Sequence, residues 1–121
     1  MRKGKIRINE REFPFLWEEN YTVEKLLMRP TLSFTLQELN GCLKYIMLQP
    51  PLPYQPQIAD DIRSGDLVLY GNSWLVLFYN PLVAPMNVTR LGRLEDTAGL
   101  EEMVGPGSVS LELIAPQEEQ A

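Results

Sequence analysis

The chain has 121 residues, of which 45% are hydrophobic and 22% are charged, and its formal net charge is −5. This composition excludes a disordered tail and a membrane protein, and it fits one domain over residues 1–121. The modest negative charge disfavours nucleic-acid binding, which needs a basic face. Histidine is absent and Cys42 is the one cysteine, which excludes His-dependent triads, His-based zinc sites and an internal disulfide. We therefore predict no cofactor and no metal.

The basic start of the chain, Arg2–Lys5, is not followed by an apolar segment, so it is not typical of a secretory signal. The longest apolar run, 74–79, is far shorter than the roughly 20 residues that span a bilayer. We therefore expect a cytoplasmic protein with no membrane partner; the alternative is an exported protein whose leader has been removed.

Eight short segments have the composition and periodicity of β-strands. In chain order they are 5–9, 13–17, 32–37, 43–48, 66–70, 74–79, 88–94 and 108–113. Pro14 predicts that the second strand lies at a sheet edge, because proline cannot donate to a ladder. The fifth and sixth strands are apolar at nearly every position. This predicts burial on both faces, one facing inward and the other beneath a helix.

Two short helices interrupt the strands. The first spans 22–29, is capped by Asn20 or Thr22 and ends before a proline. The second is capped by Asp96 and ends at Gly105. Two helices are too few for a doubly wound sheet, and a closed barrel removes unpaired strand edges. The fold class is therefore mainly β: a closed eight-stranded barrel with two short helices and a core over about 5–114.

The connections carry their own signals. Asn40-Gly41 predicts a tight hairpin, since both residues tolerate positive φ. Four prolines between residues 50 and 56 predict an extended surface loop, and 80–87 forms a second proline-bearing loop. We expect these two loops to shape a cleft. Residues 115–121 form a polar tail.

Five segments match, in the same order, the motifs of a known family. They are Glu38–Tyr45, Ser64–Gly71, Leu75–Tyr79, Thr89–Leu94 and Gly107–Val109. These motifs resemble those of small bacterial cyclophilin-like proteins, over about Ile6 to Leu113. The resemblance implies a cyclophilin-like barrel in a group without a settled biochemical activity. The segment 86–88 departs from the family, which often carries tyrosines there, so any role of those tyrosines does not transfer.

True cyclophilins isomerise X-Pro bonds by binding the twisted amide better than either planar form. Their phenylalanine-histidine-arginine and glutamine-glycine-glycine-aspartate motifs are both missing here. Arg63 and Arg90 are the arginines available to replace the catalytic one.

Tyr70 and Tyr79 lie at strand ends, where each presents a ring and a hydroxyl for a ligand at the barrel mouth. The alternative is aromatic packing at the rim. Arg90 is the third candidate for this site, against the alternative of a structural ion pair. Arg90 and Arg93 are three residues apart on one strand, so they face opposite sides unless a bulge intervenes.

Glu38, Asn40 and Lys44 surround the hairpin and would together bind a polar ligand. The alternative assigns Asn40 to the turn, and Glu38 and Lys44 to a solvated pair that contributes under about 1 kcal/mol.

Three functions follow from these patterns. The first is a non-enzymatic module that binds a small molecule or a proline-containing peptide. The second is a weak or specialised peptidyl-prolyl isomerase. The third is a structural or self-association role, for instance as a homodimer formed through an exposed apolar patch of Phe13, Trp17, Pro53 and Tyr54.

Overall fold

A computed structural model describes residues 1–82 and 85–116 of the chain. These residues form nine β-strands and two α-helices. In chain order they are β1 (Arg2–Ile8), β2 (Arg11–Trp17), α1 (Tyr21–Leu27), β3 (Ser33–Leu39), β4 (Leu43–Met47), β5 (Gln57–Ala59), β6 (Asp66–Tyr70), β7 (Trp74–Phe78), β8 (Met86–Leu94), α2 (Leu100–Val104) and β9 (Val109–Ile114). The predicted polar tail beyond residue 116 lies outside the described residues.

Eight of these strands close into a barrel. Their order is β2-β1-β9-β3-β4-β7-β6-β8, and β2 returns to β8 through the pairs Phe15–Leu94 and Trp17–Gly92. All pairings are antiparallel within the described residues. The predicted eight-stranded closed barrel with two helices is confirmed. The short strand β5 was not predicted and pairs with β8 outside the ring.

The prediction of an edge position for the second strand is wrong. β2 pairs with β1 over its whole length and with β8 over residues 15–17, so it forms the seam of the barrel. Pro14 precedes the ladder with β8 by one residue, and its carbonyl accepts a hydrogen bond from the Glu95 amide at 3.2 Å. The Pro14 nitrogen, which carries no hydrogen, therefore lies on the side of β8 but just outside that ladder. Its lack of a donor removes no hydrogen bond of the ladder.

The β6–β7 hairpin is buried on both faces, as predicted. Leu67, Leu69, Leu75 and Leu77 point into the barrel, whereas Val68, Val76 and Phe78 pack on the outside. The expectation that a helix covers the outer face is wrong. Ala59, Ile62 and Val88 cover it instead, and these residues belong to β5, the segment after it and β8.

The proline-rich segment closes one end of the barrel, which we call the proline-loop end. The prolines of this segment are exposed, as predicted for a surface loop, but Leu52 is only 4% exposed and joins the core. Its amide donates to Asn72 in the β6–β7 turn at 2.8 Å. The Thr22 hydroxyl donates to the Pro53 carbonyl at 2.7 Å, which ties the loop to α1. The loop thus covers the barrel interior rather than opening a cleft into it.

The helices pack as their apolar faces predict, with one difference at their caps. Asn20 caps α1 by accepting a hydrogen bond from the Val23 amide at 2.9 Å. The N-cap of α2 is Gly99, and not the predicted Asp96, whose carboxylate instead accepts from the Ala98 amide. A turn between Asp96 and α2 delays the helix by three residues. Neither described helix has the length and apolar character that crossing a membrane requires.

Candidate functional site

Three of the six predicted site residues meet inside the barrel, at the end opposite the proline loop. Glu38 on β3 and Lys44 on β4 are directly paired, and Tyr79 follows the end of β7. Glu38 Oε1 lies 2.8 Å from Lys44 Nζ and accepts a hydrogen bond from the Tyr79 hydroxyl at 2.7 Å. The Lys44 ammonium also stands 5.1 Å from the centroid of the Tyr79 ring. We call this part of the barrel the lysine end.

The Lys44 ammonium is fully paired within the protein. It donates to the carbonyls of Gly105 and Gly107 at 2.6 and 2.5 Å, in addition to its contact with Glu38. An ammonium has three donors, so none remains for a ligand. The Lys44 side chain is 0% exposed and that of Glu38 is 23% exposed. The interpretation of Glu38 and Lys44 as a solvated pair is therefore wrong, because the lysine points into the barrel and closes it.

This network shifts the titration of two of its members. Burial opposes ionisation of Glu38, but hydrogen bonds from Lys44, Tyr79 and the Gly41 amide outweigh it, so the pKa of Glu38 lies below its ordinary value. Burial, and then the hydrogen bond to the Glu38 carboxylate, raises the pKa of Tyr79 to about 12. Glu38 is therefore ionised and Tyr79 neutral at neutral pH. Neither group is poised to exchange a proton near pH 7.

Asn40 serves the hairpin, which forms as predicted. Asn40 and Gly41 have φ angles of 55° and 65°, both in the left-handed region. The Gly41 amide donates to Glu38 Oε2 at 2.7 Å, and its carbonyl accepts from Asn80 at 2.8 Å. Asn80 also donates to Glu101 on α2 at 2.7 Å. The turn thereby connects the buried network to the helix that covers this end.

Tyr70 and Tyr79 do not share a barrel mouth. Tyr70 pairs with Trp74 at the start of β7, and Tyr79 lies five residues further along. This separates them by about 17 Å along the strand. Tyr70 also lies on the outer face and is 48% exposed, whereas Tyr79 is buried on the inside.

An aromatic groove surrounds Tyr70 on the outer wall of β4, β7 and β6. Its volume is about 460 Å³, and it is lined by Leu39, Leu43, Tyr45, Tyr70, Trp74, Val76 and Met86. The rings of Tyr45 and Trp74 meet edge to face, with centroids 5.8 Å apart. Sequence reasoning identified only Tyr70 here. The missed signal is the alternation of β4, in which Leu43 and Tyr45 face outward because Lys44 faces inward.

Arg90 lies in a separate cleft on the outer wall. The pairing of β6 with β8 passes from Leu67–Gly92 to Val68–Arg90, so Leu91 is an extra residue in a β-bulge. The bulge puts Arg90 and Arg93 on the same face, whereas regular alternation predicts opposite faces. The two arginines share a cleft of about 300 Å³, lined by Met1, Glu18, Asp61, Arg63, Asp66, Arg90, Gly92 and Arg93. We call it the arginine cleft.

A family model described as the cyclophilin-like family matches residues 6–113. The chain belongs to the cyclophilin-like family. The resemblance found in the sequence motifs is thereby confirmed over the same range. No curated protein and no solved structure shows significant similarity to the chain.

This cyclophilin-like barrel distributes the predicted site residues over separate places. Glu38, Lys44 and Tyr79 build the lysine end, which their mutual contacts fill, and Asn40 lies in the turn beside it. Tyr70 and Arg90 each border an open depression on the outer wall.

Trp17 does not belong to an exposed apolar patch, as the prediction for self-association required. Trp17 is fully buried, packs edge to face against Phe15 at 4.7 Å, and lies directly over Gly4. A Cβ at Gly4 would be 2.6 Å from Trp17 Cδ1, so the absence of a side chain there makes room for the indole. Trp17 is therefore a core residue of the barrel seam.

Proposed function

We propose that this cyclophilin-like protein is a non-enzymatic binding module that holds an extended, proline-containing peptide segment in the aromatic groove. The observation that carries the proposal is the exposure of a contiguous aromatic and aliphatic surface on a closed barrel wall. Tyr70 is 48% and Leu39 is 44% exposed, and Tyr45 and Trp74 are half-buried beside them. Contiguous exposed apolar surface of this kind is typical of interaction sites.

Aromatic-lined grooves suit proline-rich segments because the proline ring packs flat on tyrosine and tryptophan faces. Such segments are already extended in solution, so binding them loses little conformational entropy. The edge-to-face contact of Tyr45 with Trp74 holds two of the three rings in a defined arrangement. The groove therefore offers a preformed surface to a stiff ligand.

The polar groups of the groove favour the same occupant. Neither the Tyr70 hydroxyl nor the Trp74 indole N–H makes a hydrogen bond within the described residues, so both are free to donate to a ligand. Proline has no N–H, so a proline-containing segment presents backbone carbonyls that need donors. Charged residues are absent from the lining of the groove as described, which favours an uncharged segment.

The isomerase alternative lacks its central element in this groove. Catalysis requires a group that stabilises the twisted amide more than the planar one, a role that an arginine fills in true cyclophilins. Arg63 and Arg90, the two candidates, line the arginine cleft and not the aromatic groove. We therefore expect peptide binding without isomerisation.

The first test is a titration of ¹⁵N-labelled protein with a capped Pro-Pro-Ala-Pro peptide and its all-alanine counterpart. Shifts should saturate with the proline peptide alone and should cluster on β4, β6 and β7. Tyr70→Ala should weaken binding about tenfold, the effect of losing a central aromatic contact. Tyr21→Ala removes an equally exposed tyrosine on α1 and should leave the affinity unchanged. Equal responses to both peptides would refute the proposal.

Two further measurements separate the rival functions. Exchange spectroscopy on the bound peptide should show an unchanged rate of X-Pro isomerisation, and acceleration would establish an isomerase. Sedimentation over a range of concentrations should show a monomer. If the protein is instead a dimer, and Tyr70→Ala dissociates it, then the occupant of the groove is a second copy of the chain and not a peptide.

A further inference from the structure

The arginine cleft is lined by three arginines and three acidic residues. Three of the 11 lysine and arginine side chains, Arg63, Arg90 and Arg93, line a depression of about 300 Å³. Arg90 and Arg93 share it because the extra residue Leu91 shifts the alternation of β8. Leu91 itself is fully buried in the core, so packing holds the bulge in place.

A buried carboxylate, that of Asp66, orients an arginine side chain of the cleft. Asp66 is 5% exposed, and its Oδ2 accepts from the Arg90 guanidinium at 3.2 Å and from the Arg63 amide at 3.0 Å. Arg90 also donates to the Asp61 carbonyl at 3.3 Å. Arg63 is held through two contacts of 2.9 Å with Asp61 Oδ2. Asp61 and Asp66 thus orient two of the arginines, Arg63 and Arg90.

Most of the guanidinium donors remain unused. A guanidinium carries five N–H donors in a planar fork. Arg63 and Arg90 each use two of their guanidinium nitrogens in these contacts. Arg93 makes neither an ion pair nor a side-chain hydrogen bond within the described part of the chain. Arg93 is also exposed to solvent. The cleft therefore presents a surplus of oriented donors to whatever enters it.

We propose that the arginine cleft is a binding site for a small oxyanion, either a carboxylate or a phosphate. Both groups match the guanidinium fork and accept paired, charge-assisted hydrogen bonds from it. Arg93 supplies an uncommitted fork, and Arg90 supplies a second one fixed by Asp66. Glu18 on the wall of the cleft repels the anion and limits its affinity. The site is independent of the aromatic groove, since the two share no lining residue.

The test follows the arginine Nε–Hε signals of the protein during separate titrations with sodium phosphate and sodium acetate, at constant ionic strength set with sodium chloride. At least one of the two anions should give saturable shifts at Arg90 and Arg93, and the tighter one identifies the preferred group. Arg93→Gln should weaken its binding about tenfold, because charge-assisted hydrogen bonds are lost. Arg11→Gln removes an exposed arginine outside the cleft and should bind as the unaltered protein does.

A second variant should change the affinity for the anion in the opposite direction. Glu18→Gln removes the repulsive carboxylate and should tighten binding about threefold. Shifts that stay linear with both anions, or an affinity that Arg93→Gln leaves unchanged, would overturn the proposal. An affinity that Glu18→Gln leaves unchanged or weakens would place the anion outside this cleft and overturn it as well.

Discussion

Replacing Lys44 by methionine tests whether the lysine end stabilises the barrel. Methionine replaces the aliphatic stem of the lysine, but it leaves the Gly105 and Gly107 carbonyls without a donor and leaves Glu38 without its cation. Each charge-assisted hydrogen bond contributes about 1.5–3 kcal/mol, and burying the ammonium costs several kcal/mol. Breaking a buried pair from one side typically costs about 3–5 kcal/mol. Glu38 is 23% exposed and regains some water, so we expect about 3 kcal/mol.

Urea unfolding at pH 7 measures this loss, with the slope of the transition expected to stay constant. Lys3→Met is the matched control, because Lys3 is exposed, and its effect should stay within about 0.5 kcal/mol. The double variant Glu38→Leu/Lys44→Met should lose less stability than the sum of the single variants, since their interaction is then counted once. A Lys44→Met protein as stable as the unaltered one would refute the reasoning. It would mean that burying the ammonium costs as much as its hydrogen bonds contribute.

Three further predictions concern the rest of the barrel. Between pH 10 and about 12 the folded protein keeps the Tyr79 proton that the unfolded chain releases, so the free energy of unfolding should fall by up to roughly 3 kcal/mol as the pH rises. Tyr79→Phe should flatten this decline in urea titrations. Leu52→Ala should cost about 3 kcal/mol in chemical unfolding, because it empties the buried position under the proline loop. Gly92→Ala should cost at least about 2 kcal/mol, because a Cβ there collides with the Phe15 ring and the Leu16 carbonyl at the β2–β8 seam.

Each of these has a clear contrary result. An alkaline decline that persists in Tyr79→Phe would assign it to another group. A loss below about 1 kcal/mol in Leu52→Ala, with Leu39→Ala as the exposed control, would mean that the loop does not close the barrel. Full stability of Gly92→Ala would mean that the seam tolerates a wider strand separation.

Much of the barrel was predictable because local patterns and the global fold agree. Three segments each specify one local structure. They are the alternating strand Leu32–Gln37, the Asn40-Gly41 hairpin, and the β6–β7 segment, which is apolar at nearly every position. The observed elements differ from the predicted ones by a few residues at their ends. The family motifs then predicted a cyclophilin-like barrel, and the family is confirmed over residues 6–113.

The candidate site was predicted less well, since its residues were assigned by the usual preference of their side chains. A lysine is expected outside and a leucine inside, but on β4 Lys44 points inward and Leu43 outward. A one-residue change in facing exchanges every side chain of a strand between the two faces. The exposed aromatic groove and the buried lysine end both result from this inversion. The bulge at Leu91 likewise changed the side of the strand that a residue faces, since it puts Arg90 and Arg93 on the same face.

The amino-acid sequence by itself determined the fold class, the positions of nearly all strands and helices, and the family. These depend on periodicity, turn residues and caps, which act over a few neighbouring residues. Only the tertiary structure decided which face of each strand is covered, that Leu52 and Lys44 close the two ends, and that Tyr70, Tyr79 and Arg90 lie apart. Those outcomes depend on contacts between residues distant in the chain, such as Lys44 with Gly105, for which no local pattern gives a signal.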